Sequence, residues 1–259
     1  MTLFVGTSGW QYRDWRGVLY PRGVPQRLWL EEYAAGFATV ELNNAFYRLP
    51  GSETFAAWRA RTPADFRIAV KAGRFLTHIK RLRDPAEPVQ RLMTRAAYLG
   101  DRLGPVLLQL PPTLRADPSL LDACLRCFPT GTRVAVEPRH DSWWTDDIRA
   151  VLERNDAALC WADAEERPVA PLWRTTDWGY LRLHTGSADP WPRYHESTLV
   201  TWVHRLTETW SDTCDIHVYF NNDPGGAAIH DALRFARAAA VSGATVTRTP
   251  DIAPAGEST

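Results

Sequence analysis

Eight times along this chain a short run rich in Val, Leu, Ile and Phe appears, and after the first it is each time cut off by an ionisable or amide side chain. Residues 133–140 show the pattern best: Val134-Ala135-Val136, then Glu137, Pro138, Arg139 and His140. Short runs that are apolar almost throughout suit strands covered on both faces, which are the strands of parallel sheets. Parallel strands need long return connections, usually helices. In a closed barrel of such strands, the groups just beyond the C-terminal strand ends collect on one rim, where chemistry takes place. The pattern therefore locates a site before it says what the site does.

The other runs cover residues 3–6, 39–43, 66–71, 106–110, 157–163, 179–184 and 216–221. Helical spacing follows most of them, over residues 29–35, 53–61, 84–100, 119–128, 142–153, 197–210 and 227–241. Asp117 is placed to cap the fourth helix, and Asp141 or Ser142 the next. Residues 7–17, 44–50, 167–178 and 186–194, rich in Gly, Pro and aromatics, read as rim loops. Eight strand-like runs alternating with helices in about 240 residues predict a single-domain α/β fold, a (β/α)8 TIM barrel over residues 1–244. Residues 245–259 lack an apolar period and are expected to form a flexible tail. No G-x-G-x-x-G follows the first run, which argues against a dinucleotide fold.

Thirty Lys and Arg balance thirty Asp and Glu, so net charge gives no general attraction to nucleic acid or membrane. No apolar stretch approaches the length of a membrane span. The balance is uneven locally: residues 59–102 carry eleven Lys and Arg against four Asp and Glu. Cys124 and Cys127 fall on one helical face and, with Cys160 and Cys214, read as structural thiols. Without a secretory signal the expected setting is the reducing cytoplasm. Twelve tryptophans either anchor loops or wall a ligand site.

The strand-end groups are Glu41, Asn43, Lys71, Gln109, Glu137, Arg139, His140, Asp163, Arg182, His184, Asn221 and Asp223. So many charges cost too much to bury for packing alone. One reading is an enzyme for a phosphate- or carboxylate-bearing small molecule, an isomerase, epimerase or hydrolase needing no cofactor. Glu41, Lys71, Glu137 and His184 carry acid-base chemistry in it. Asn43, Arg74, His78, Gln109, Arg139, His140, Arg182, Asn221 and Asp223 bind substrate, beside Trp10 and Tyr12 of the first loop. A second reading draws Glu41, Glu137, Asp163 and His184 around a divalent metal, against the competing cations nearby. A third is a nucleotide or single-strand binder built on the basic sector and on Phe66, Phe75, Trp10, Trp15 and Trp143.

The chain resembles the YecE-like family, domain of unknown function 72. The resemblance rests on Gly6-Thr7-Ser8-Gly9-Trp10 with Tyr12 and Trp15-Arg16-Gly17, and on Glu41-Leu42-Asn43-Asn44-Ala45-Phe46-Tyr47-Arg48-Leu49-Pro50. It rests also on Val70-Lys71 with Arg74-Phe75-Leu76-Thr77-His78, Leu108-Gln109-Leu110-Pro111-Pro112 and Val136-Glu137-Pro138-Arg139-His140-Asp141-Ser142-Trp143. Tyr180-Leu181-Arg182-Leu183-His184-Thr185-Gly186 and Tyr219-Phe220-Asn221-Asn222-Asp223 complete it, so it spans residues 6 to 235. Ala45 departs from the family's Thr or Ser, and Thr185 lengthens its His-Gly step. The resemblance implies a TIM barrel and no assigned reaction.

Overall fold

The computed structural model describes residues 1–251. Its strands form two sheets. One takes β1 (Thr2–Thr7), β7 (Trp161–Ala164), β8 (Arg167–Pro168), β9 (Gly179–Leu183), β10 (Asp215–Phe220) and β11 (Thr245–Val246), in the order β11-β1-β10-β9-β7-β8. The other runs in chain order through β2 (Thr39–Leu42), β3 (Arg67–Lys71), β4 (Leu103–Gln109), β5 (Val134–Glu137) and β6 (Ala157–Leu159). Every pairing is parallel except β7 with β8. The α/β class is as expected, but the ladder is not one closed sheet.

It divides at two places. At Cys160 the sixth run breaks into β6, which pairs with β5, and β7, which pairs with β9. Between β1 and β2 the pairing shrinks to a single parallel bridge, Ser8 with Glu41. There the backbones come so close that a Cβ on Gly6 would meet the Thr39 carbonyl oxygen at 2.4 Å, so Gly6 is required. The inner faces still share one interior. Ala69, Leu107, Ala135, Ala158 and Cys160 of one half pack with Trp178, Tyr180 and Tyr219 of the other in one buried cluster.

Helices α1 (Trp29–Gly36), α2 (Asn44–Tyr47), α3 (Ser52–Ala60), α4 (Ala86–Ala96), α5 (Pro118–Leu125), α6 (Asp146–Arg154), α7 (Glu196–Thr209) and α8 (Ala227–Val241) lie between strands, and their apolar faces join the larger core. Asp117 caps α5 through Leu120 N, as expected. Thr145, not Asp141 or Ser142, caps α6 through Ile148 N. Ser142 instead accepts from Ala116 N. Part of the loop after β2 is helical, as α2. Residues 167–178 contain no α-helix; Thr175 fastens them by accepting from Leu159 N and donating to the Ala157 carbonyl.

The segment from residue 245 is not loose where it is described. Thr245 and Val246 pair with β1, Thr247 N donates to the Leu3 carbonyl, and Arg248 pairs with Asp65. The rest of the expected tail, 252–259, lies outside the described residues. No described helix is long and apolar enough to cross a membrane. The four cysteines are free thiols.

Candidate functional site

Side chains alternate along a strand, so Thr39 and Glu41 share a face, as do Leu107 and Gln109, Ala135 and Glu137, and Tyr180 and Arg182. Register then levels the ends: Gln109 lies opposite Glu137. The upper interior is thereby charged while the layer beneath is apolar.

Arg182 is the hub. Its Nη2 donates to Glu41 Oε1 at 2.8 Å and its Nη1 to Glu137 Oε2 at 2.7 Å. Glu41 also accepts from Ser8 Oγ at 2.8 Å and from the Tyr180 hydroxyl at 2.7 Å. Glu137 accepts further from Gln109 Nε2 at 2.9 Å and from Arg139 Nη2 at 3.1 Å. Burial alone would raise both carboxyls, but Arg182 overcomes it, with Lys71 helping at Glu41 and His184 at Glu137. Glu41 ends below its ordinary value and Glu137 well below. Both are therefore held as carboxylates whose oxygens are already engaged, which does not suit the general acid-base role expected of them.

His184 Nε2 lies 2.9 Å from Glu137 Oε1, and Asn221 Nδ2 lies 3.2 Å from His184 Nδ1. With the Asn221 amide donating to Nδ1, the remaining Nε2–H donates to Glu137. Burial holds this imidazole below its ordinary value, against the pull of Glu137.

Lys71 differs from the other buried cation. It is 9% exposed and its side chain makes no hydrogen bond or ion pair among the described residues; its Nζ lies 4.4 Å from the centre of the Phe46 ring. Burial lowers its ammonium to about 8, and Arg182 pushes the same way. His78, which shares a 2.8 Å contact with Thr77 Oγ1, is also lowered by burial and by Lys71, Arg74 and Arg139. Arg74 is exposed beside it.

Asp223 forms the opposite side. Burial raises it to about 7, with Asp14 and Glu41 adding and Tyr12 and Arg182 opposing. Its Oδ1 is buried without a hydrogen bond, as are Asn43 Oδ1 and Arg182 Nε. The Tyr12 hydroxyl stands beside Asp223 and donates to the Ser8 carbonyl at 2.6 Å. Buried polar atoms are almost always partnered, so orphaned ones near a mouth suit a ligand or water.

The contacts thus join Glu41, Glu137, Gln109, Arg139, Arg182, His184 and Asn221. Lys71 and Asp223 join them only electrostatically, both responding to Glu41 and Arg182. Asn43 donates to the Ser8 carbonyl and, with Trp10 and Tyr12, lines a pocket of about 170 Å³. His140 stands apart, accepting from Ser142 N as a turn cap. Asp163 faces outward, accepting from Trp202 Nε1 and the Tyr194 hydroxyl, because β7 presents it on the same face as Trp161 toward α7. Arg182 sits between Glu41 and Glu137, so the four expected metal ligands do not converge. Among the described residues, no group of three or more His, Cys, Asp and Glu is arranged to hold a metal ion.

Of the aromatics read as a stacking surface, Trp10, Trp15, Trp143 and Phe66 are buried, at 3% exposure or less. Trp10 packs edge-on against Trp58, and Trp143 donates to the Leu114 carbonyl. Only Phe75 is exposed. Sequence reasoning missed Ser8, Tyr180 and Phe46. Tyr180 was within reach, lying two residues before Arg182 on the same strand face. A stronger unused signal is that only Lys71 and Lys80 are lysines among thirty Lys and Arg. A chain that otherwise uses arginine keeps a titratable amine here.

These features define a parallel α/β protein with a buried, ion-paired cluster at its C-terminal strand ends. The chain belongs to the family described as protein of unknown function DUF72, whose match runs over residues 4–256. It is 24% identical to the UPF0759 protein YunF of Bacillus subtilis (strain 168), covering 87% of this chain and 90% of that one. It is also similar to the crystal structure of a DUF72 family protein from Thermotoga maritima MSB8, with 28% identity, a TM-score of 0.79, and 92% and 98% of the two chains covered. A DUF72 family protein from Enterococcus faecalis V583 shares 20% identity at a TM-score of 0.72, over 91% and 96%.

Proposed function

We propose that the two sheets are halves of one TIM-type barrel and that its mouth binds a small phosphate- or carboxylate-bearing molecule and moves a proton on it. The shared interior, the Ser8–Glu41 bridge and the continuous chain through Cys160 support the barrel reading. Lys71 carries the functional reading: it is a buried amine with no acceptor of its own, at the mouth of an otherwise paired cluster.

Protonated, Lys71 attracts the anion together with Arg74 and Arg139. Its ammonium is also the proton donor, because its value lies within reach of physiological pH. Asp223, at about 7, is the partner group. Two titratable groups close to neutrality, fed by the same ion pair, provide an acid and a base. Glu41, Glu137 and Arg182 are a fixed field that sets these values rather than proton carriers. Gln109 and His184 orient Glu137, and Asn221 fixes the His184 tautomer.

The test has two parts. Calorimetric titration with inorganic phosphate should give saturable binding that Lys71→Met abolishes and Arg139→Gln weakens. Incubation of sugar phosphates and 2-oxo acids in deuterium oxide should then show solvent deuterium entering one class of substrate, and both Lys71→Met and Asp223→Asn should stop it. Phosphate affinity unchanged in Lys71→Met removes the binding assignment. No deuterium entry in any compound removes the acid-base assignment.

A further inference from the structure

Beside the mouth lies a groove of about 290 Å³ between the segment after β2 and the turn after β3. Its lining includes Tyr47, Arg48, Arg74, Phe75, Arg91 and Arg95, and no Asp or Glu. Four arginines lining one hollow without an acidic residue give it a positive potential that favours an anion. Arg95 is partly satisfied by the carbonyls of Leu49 and Pro50, and Arg91 reaches Glu87 only at 3.7 Å. Arg48 and Arg74 are exposed, and their side chains make no hydrogen bond or ion pair among the described residues.

The same groove exposes aromatic rings. Tyr47 is 83% exposed and Phe75 40%, on a protein whose tryptophans are mostly buried. Phe75 is flanked by Lys80 at 5.8 Å and Arg91 at 6.0 Å from its ring. It opens a π-helical turn, Phe75–Ile79, a geometry that is rare and recurs at functional sites. Phe46 joins groove and mouth: it lines the groove, underlies Lys71 Nζ, and meets Tyr47 and His78 edge-on.

We infer that the anionic ligand of the mouth is a nucleoside monophosphate, with its phosphate between Lys71 and Arg74 and its base in the groove against Tyr47 and Phe75, rimmed by Arg48 and Arg91. This rests on the anion-binding reading of Lys71 and adds the ligand class. Planar faces beside guanidinium groups suit a base joined to a phosphate, through stacking and charge-assisted hydrogen bonds. The volume favours one nucleotide over a strand, being near the lower end of small-molecule sites, about 300 to 1,000 Å³. The zero net charge of the whole chain points the same way.

The test is titration of the full chain with AMP, ribose 5-phosphate and a short oligothymidylate. AMP should bind at least about tenfold more tightly than ribose 5-phosphate, the scale of one base-aromatic stack. Tyr47→Ala, at an exposed position, should reduce that advantage and leave ribose 5-phosphate affinity unchanged. Arg74→Gln should weaken both ligands. Equal affinities, with Tyr47→Ala without effect, overturn the inference; if Lys71→Met still abolishes ribose 5-phosphate binding, the mouth reading stands without it. A tenfold AMP advantage that survives Lys71→Met keeps the base site and overturns the placement of phosphate at the mouth. Oligothymidylate binding more tightly than AMP, with affinity falling steeply with salt, replaces the mononucleotide by a strand.

Discussion

Arg182 donates to Glu137 at 2.7 Å while the two side chains are only 1% and 3% exposed. Such a pair adds little net stability when complete, because desolvation offsets attraction, but it is costly to break from one side. Arg182→Met strands two carboxylates, Glu41 as well as Glu137, and should cost about 3–5 kcal/mol in urea unfolding. Arg182→Lys should recover little of this, since one ammonium cannot reproduce a fork that donates to both acids. A loss under about 1 kcal/mol for Arg182→Met would show that the pair is not the hub described.

The location of Glu137 is legible because an apolar run ends at it and Pro138 interrupts strand pairing beyond. The two-residue alternation likewise puts Arg182 on the same strand face as His184. Partnership is not legible in the same way. Tyr180 meets Glu41 across 139 residues of chain, and the sequence between them carries no sign of the contact. Glu41 shows the consequence: a carboxylate at a strand end reads as a base until its three donors are seen. Asp163 was misplaced by treating every strand-terminal acid as inward, although Trp161 on its own face packs outward. Trp10, Trp15 and Trp143 fit a stacking surface when read from sequence alone, but their indoles turn into the core. The division at Cys160 is equally hidden, because β6 and β7 read as one run.

His217 predicts an acid-labile fold. It is 2% exposed, stacks on Phe4, and its Nε2 has no hydrogen-bond partner. Burial lowers it from 6.5 to about 3, with Arg133 and Arg67 adding. Between those values the unfolded chain binds the extra proton, so stability falls as pH drops through the window. The slope approaches about 1.4 kcal/mol per pH unit from this group. Denaturation midpoints from pH 7 to 4 should show the slope, and His217→Phe, which keeps the stack, should flatten it. An unchanged slope assigns the acid sensitivity elsewhere.

Asp223 should show the opposite sign. Its folded value of about 7 lies above the ordinary 3.8, so the folded state holds the extra proton between them. Its contribution is present below 3.8 and is lost as pH rises through 7. Asp223→Asn removes a buried carboxyl with an orphaned oxygen. The variant should gain stability over the parent at pH 8 while differing little at pH 4.5, and should lose deuterium transfer. Gaining stability while losing activity is the pattern expected of a strained functional group rather than a structural one. A variant destabilised at both pH values would mark Asp223 as structural.

Lys71 allows a direct measurement because the chain has only two lysines. Reductive methylation with carbon-13 formaldehyde should give two lysine dimethylamino signals and one from Met1. Lys80 lies beside Asp84 at 3.4 Å, whereas Lys71 is buried under Phe46. One lysine signal should therefore titrate near 8, vanish in Lys71→Met, and shift on adding inorganic phosphate. Bound phosphate stabilises the ammonium, so its titration should move upward, and phosphate affinity should fall as pH rises through about 8. Arg182→Met offers the control on cause: burial is the larger reason for the lowered value and Arg182 the next, so removing Arg182 should raise the Lys71 titration toward the ordinary 10.5 if the cluster stays folded. A Lys71 signal that titrates near the ordinary 10.5 in the parent protein would place the amine in water and remove the basis for acid-base chemistry at this mouth.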